Sequence, residues 1–249
     1  MEREINLIQL ANAVQWWMSY TSAVGRSYVL AESAIKFPLA EYLERLNLKD
    51  LKLEYTHPKL SNRSFDLHFE DKNDQKTAIE FKYIKNGSTR KTNEKKRVFN
   101  DLMRLSLYIE DAKTGYFLIC GAQNDFSKDF QRLLSKPKDG ADNQYIVPQV
   151  GTSNSIKIEP DGFYKQWFSF DNNEPIKEIE IRVEDDDEYG EIYQSFLDDY
   201  SKSYKDNMEE DLVLPTKIST KLLYLSQEIE NENDFFQPAT IGIWEVINQ

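Results

Sequence analysis

A chain of 249 residues with 40% hydrophobic content can bury one sizeable core, alone or with a smaller appendage. It contains no apolar run of about 18 residues that could cross a bilayer, and its start MEREINLIQL has neither a basic n-region nor a cleavage-site pattern, so a soluble, cytoplasmic protein is expected. Cys120 is the only cysteine, which excludes an internal disulfide; His57 and His68 are the only histidines, which leaves no Cys/His cluster for zinc; and no G-x-x-x-x-G-K-[ST] phosphate loop occurs.

From the N-terminus, positions 2–22 carry Ile5, Ile8, Leu10, Val14, Trp17 and Met18 at helical spacing without Gly or Pro, which predicts an amphipathic helix. Gly25 interrupts it. Ser27 can cap a second helix from Tyr28 through Ile35, and Pro38 can open a third through Leu46. Leu51–Tyr55 alternates as a short strand ahead of His57-Pro58. Val98, Leu102, Leu105 and Ile109 form the stripe of a helix packed on a sheet, and the apolar run Tyr116–Cys120 reads as a strand covered on both faces, with Cys120 buried in it. Strand, helix and strand then make a parallel crossover of the α/β type. Asp125–Leu134 reads as another helix, and short alternating runs follow at Tyr145–Val150, Ser155–Ile158, Phe163–Phe170 and Lys177–Val183. Lys221–Ser226 and Thr240–Ile247 are expected strands that close the fold.

The chemistry concentrates in Ser64–Tyr83, SFDLHFEDKNDQKTAIEFKY, where two alternating runs flank the polar turn Asp71–Gln75. A hairpin centred on Asn73 pairs residues whose numbers sum to 146, which sets Asp66 opposite Glu80 on the face away from Phe65, Ile79 and Phe81. Directly opposed β-carbons lie roughly 4.5–5.5 Å apart, and two carboxylates so placed repel unless a cation sits between them. The arrangement asks for a metal. Lys82 projects on the same face, two residues beyond Glu80, within reach of a water or phosphate oxygen held by that metal.

Charge is unevenly distributed. The chain carries −12 in total, yet from Lys82 to Arg97 there are seven Lys or Arg and one Glu. This basic stretch, Lys85, Arg90, Lys91, Lys95, Lys96 and Arg97, follows the proposed site directly and is read as a loop that contacts nucleic-acid backbone. By contrast, Glu184–Glu188 is five consecutive acids, and the stretch Tyr189–Tyr204 reads as a solvated helix or as a docking surface for a basic partner.

An Asp, a spacer bridging one turn, then Glu-x-Lys resembles the PD-(D/E)XK nuclease superfamily, the restriction-endonuclease-like fold, over about half of the chain, although Phe65 stands where a Pro often precedes the Asp. The resemblance implies an α/β fold with a central mixed sheet flanked by helices. Residues 1–134 would form the nuclease core, and residues 135–249 a β-rich, acidic extension packed on it. It also implies Mg²⁺, with Mn²⁺ able to substitute, held by Asp66, Glu80 and the backbone carbonyl near Phe81. Lys82 would then position the attacking water, and Glu32 would add an acid from a helix preceding the core strands. The expected activity is hydrolysis of phosphodiester bonds in nucleic acid, with DNA the expected substrate, of a restriction or anti-phage defence type. Two alternatives stand beside it: a nucleic-acid-binding module without catalysis, and an acidic regulatory protein that engages a second copy or another protein through its C-terminal region.

Overall fold

A computed structural model describes residues 6–46, 48–71, 73–85, 92–109, 113–126, 145–148, 155–158, 164, 167–181, 194, 198, 215–227, 229 and 238–247. Helix α1 (Leu7–Ala23) starts where Asn6 Oδ1 accepts from the amides of Ile8 (3.0 Å) and Gln9 (3.1 Å). It stops at Gly25, whose φ of 74° needs no β-carbon; Gly25 N–H donates to Ser22 O and Arg26 N–H to Thr21 O, which satisfies the last turn. A 3₁₀ turn, Ser27–Val29, leads into α2 (Glu32–Glu44). The break expected at Pro38 is therefore misplaced. Pro38 sits inside a single helix, because Ile35, Leu39 and Leu43 bury one continuous stripe on the sheet and outweigh the missing backbone bond.

Seven strands form one sheet in the order β1-β2-β3-β4-β9-β8-β7: β1 (Lys49–Thr56), β2 (Ser64–Glu70), β3 (Lys76–Ile84), β4 (Lys113–Ala122), β7 (Ile176–Glu180), β8 (Lys217–Leu225) and β9 (Ala239–Ile247). Among the described residues only β3 and β4 run parallel, joined by the crossover helix α3 (Thr92–Tyr108). β5 (Tyr145–Pro148) and β6 (Ser155–Ile158) pair in a separate two-stranded sheet. The fold is thus α/β with a mixed sheet, as the sequence implied. Chain beyond residue 134 does more than pack against that sheet, since β9 hydrogen-bonds to β4 and brings β8 and β7 with it.

The two faces explain the continuous apolar run of β4. Phe117 and Ile119 pack with Val98, Phe99, Leu102 and Leu105 of α3 and with Trp244, while Leu118 and Cys120 pack with Leu10, Val14, Ile35 and Leu39 of α1 and α2. Among the described residues no helix is long and apolar enough to cross a membrane. The alternation read at Phe163–Phe170 is not a strand: Tyr164 and Trp167 are helical, and their three-residue spacing buries both beside Phe168. Beyond the turn Gln123–Asp125, the helix expected to Leu134 lies outside the described residues, as do Glu184–Glu188 and nearly all of 189–204.

Candidate functional site

β2 and β3 pair as Leu67↔Ile79, His68↔Ala78, Phe69↔Thr77 and Glu70↔Lys76, so each described pair sums to 146. One step further, the two strands part. Leu67 and Phe69 bury toward α1 and α2, yet Phe65 lies with Ala78 in the α3-side core, its ring 4.9 Å from Tyr108. The two-residue alternation is broken between Phe65 and Leu67, so Phe65 does not share a face with Ile79 and Phe81 as expected, and the expected pairing of Asp66 with Glu80 is not made. The partner strand is irregular at the same level: Glu54, between the pairs Leu53↔Leu67 and Tyr55↔Phe65, adopts φ 52°. Asp66 uses the gap. The amide of Phe81, which an unbroken ladder would give to the β2 backbone, donates to Asp66 Oδ2 at 2.8 Å. In an antiparallel strand the N–H and C=O of one residue point to the same side, so the Phe81 carbonyl also faces this gap.

Glu80 and Lys82 stand on the α3 face of β3, both buried. α3 meets them with two residues one turn apart. Arg104 binds Glu80 Oε1 at 2.8 Å and Asp101 Oδ1 at 2.5 Å, and Asp101 Oδ2 also accepts Lys82 Nζ at 3.2 Å. From the other side α2 brings Glu32, 3.4 Å from Lys82 Nζ, and Lys36, which lies 2.8 Å from Asp66 Oδ1 and also pairs with Glu54. The result is one chain of alternating charges across three elements: Glu32, Lys82, Asp101, Arg104, Glu80. Asp66 and Lys36 flank it.

Burial pushes the Glu80 carboxyl well above its ordinary range; Arg104 opposes this, while the charges of Asp101 and Asp66 add to it. Glu32 is raised for the same first reason, with Lys82 acting against it. Lys82 behaves oppositely. Burial alone would lower it, but Asp101, Glu32 and Glu94 outweigh the missing solvation and hold it above its ordinary value, so it stays a cation. Lys36 is likewise raised, because its bonds to Asp66 and Glu54 outweigh burial.

Of the residues expected from sequence, the fold gathers Asp66, Glu80, Phe81, Lys82 and Glu32 at one place. The basic stretch is more mixed. Lys95, Lys96 and Arg97 lie in the opening turns of α3 rather than in a loop, because the helix begins at Thr92. Lys95 is buried, 9% exposed, and so does not present its charge to a surface phosphate as expected. Arg97 is open, its side chain 72% exposed and 3.8 Å from Glu94, and Lys96 is half-buried. Lys85 follows β3 with its ammonium 5.6 Å from the centre of the Tyr83 ring, and Arg90 and Lys91 lie outside the described residues. Sequence reading missed Lys36, Asp101 and Arg104.

Family models, curated proteins and solved structures return no match to this chain.

Among the described residues, no three His, Cys, Asp or Glu side chains are grouped closely enough to hold a metal ion by themselves. The reason is visible in the pairings, since each acid here is turned toward an internal cation. The donor chemistry nonetheless suits a hard divalent ion: Asp66 and Glu80 are near enough for the charge of one to oppose ionisation of the other, and the Phe81 carbonyl faces the same gap, giving an all-oxygen set. Glu32 and Asp101 are committed to Lys82 and belong to its surroundings.

Proposed function

We propose that the chain is a metal-dependent nuclease of the PD-(D/E)XK type, hydrolysing phosphodiester bonds in nucleic acid, with DNA the expected substrate. The observation that carries this reading is the meeting of Asp66, at the break between β2 and β3, with the buried Glu80 and Lys82 of β3 and with Glu32 of α2. Such a convergence of perturbed titratable groups is the common mark of a catalytic site. Asp66, Glu80 and the Phe81 carbonyl would hold Mg²⁺, or Mn²⁺ in its place. When bound, such an ion acidifies a water and neutralises charge on the phosphate.

The chain's own residues supply the rest. Lys82, kept protonated by Asp101, Glu32 and Glu94, stabilises negative charge and orients a water instead of removing a proton. Arg104 offsets the buried negative charge of Glu80 and, through Asp101, fixes the direction of the Lys82 ammonium. Lys36 holds the Asp66 carboxylate against the Phe81 amide, so the acid is positioned before any ligand arrives.

Purified protein is expected to cut nucleic acid in Mg²⁺ or Mn²⁺ and not in EDTA. Asp66→Ala and Glu80→Ala abolish cutting, and Lys82→Ala slows it by on the order of 10²–10³-fold. Glu32→Ala gives a partial loss. A Lys82→Ala variant as fast as wild type contradicts the assignment.

One observation favours a second reading, a nucleic-acid-binding module without catalysis: Lys36 and Arg104 already engage the two acids that a metal needs. Under that reading the protein retains nucleic acid on a filter in EDTA as well as in Mg²⁺ and cuts it in neither.

A further inference from the structure

Helix α1 has a surface unlike the rest of the molecule. Charged residues make up 30% of the chain, yet no Asp, Glu, Lys or Arg lies between Glu4 and Arg26. Leu10, Ala11, Val14, Met18, Thr21 and Ser22 face inward. Opposite them, Trp16 is 68% exposed and Tyr20 is 54% exposed, one helical turn apart, with rings 5.4 Å between centres and 3° from parallel. Ile8 on α1 and Val24 at its C-cap are also exposed, and the 3₁₀ turn that follows adds Tyr28 at 81% and Val29 at 41%. A surface helix usually turns charged residues outward. This one turns out a flat aromatic pair.

We propose that this face is the contact between two copies of the chain, with α1 packed against α1 of the second copy about a two-fold axis. Charge selects the occupant. Each copy carries −12, so two copies meet at least electrostatic cost where neither presents charge. Along α1 itself a nucleic acid finds no cation between Glu4 and Arg26, and a strongly acidic or basic protein finds no charge there to pair with. An uncharged, aromatic face is complementary to itself, which is what a two-fold contact requires, since the same patch is used on both sides and residue i meets j while j meets i. The area suffices: three rings more than half exposed, at roughly 150–250 Å² each when fully buried, with the flanking Val and Ile side chains, give on the order of 500 Å² per copy. Doubled, that reaches about 1,000 Å², the minimum for a biological interface and the size of a weak, reversible one. Tyr and Trp are also the residues in which interface energy concentrates.

Sedimentation velocity on the full chain tests this without reference to nuclease activity. Wild type is expected to sediment as a dimer at micromolar concentration with a thermal midpoint that rises with protein concentration, and Trp16→Glu/Tyr20→Glu as a folded monomer whose midpoint does not depend on concentration. Trp16→Ser, a milder change, should weaken dimerisation at least tenfold and serves if the double variant does not fold. A monomeric wild type overturns the proposal, as does a dimer that neither variant weakens.

Discussion

Arg104 joins two acids, one on a strand and one on a helix, that are 21 positions apart in the chain, from Glu80 to Asp101. Its guanidinium binds both, with its side chain only 15% exposed, so removing it strands the Glu80 carboxylate beside a low-dielectric core and leaves Asp101 to Lys82 alone. Breaking a buried pair by truncating one partner costs about 3–5 kcal/mol, and Arg104→Ala should lower unfolding free energy by about that much in a urea titration. The coupling is the sharper prediction. Glu80→Gln removes the charge that Arg104 offsets, so the double variant should lose less than the sum of the two single losses. Additive losses would show that the two side chains do not act on one another. Lys36, Asp101 and Arg104 escaped the sequence reading because a helical residue reveals its neighbours only once the helix has been placed on the sheet. The pairing of β2 with β3 about Asn73 was legible because a strand's two-residue period and the short turn Asp71–Gln75 fix a register by themselves.

At the scale of elements, most of the sheet and α3 followed from periodicity, since β4 is apolar on both faces and α3 carries one apolar stripe. The departures have local causes. Pro38 suggested a helix start, but it lies inside α2, where Ile35, Leu39 and Leu43 keep the stripe intact. The break at Asp66 was hidden because Phe65, Leu67 and Phe69 alternate in sequence whether or not the strand rotates between them; only the packing of Phe65 against Tyr108 reveals the change of face. The early start of α3 redefines the basic segment. Lys96 and Arg97 now sit on a helix that opens next to the site, while Lys95 turns inward. Neutralising Lys96 and Arg97 together should weaken nucleic-acid binding about equally across sequences and flatten its salt dependence by a log-log slope of about 1 for each phosphate no longer neutralised. An unchanged slope in filter binding across a salt series would assign both residues to solvation alone.

For the whole molecule, the proposed site and the proposed contact between copies lie on different parts of the structure. The acids and cations gather where β2 leaves β3 between α2 and α3, and the uncharged side of α1 faces away from the sheet. Within the site Lys36, Lys82 and Arg104 balance most of the charge of Glu32, Asp66, Glu80 and Asp101, so little net field is left there for a ligand. Under the proposed function, Asp66 and Glu80 exchange part of their hold on Lys36 and Arg104 for a divalent ion. Calorimetric titration with Mn²⁺ tests it most directly: wild type and Lys82→Ala should both take up the ion, and Asp66→Ala and Glu80→Ala should not. Absence of uptake by wild type, or uptake undiminished in both acid variants, would contradict the account.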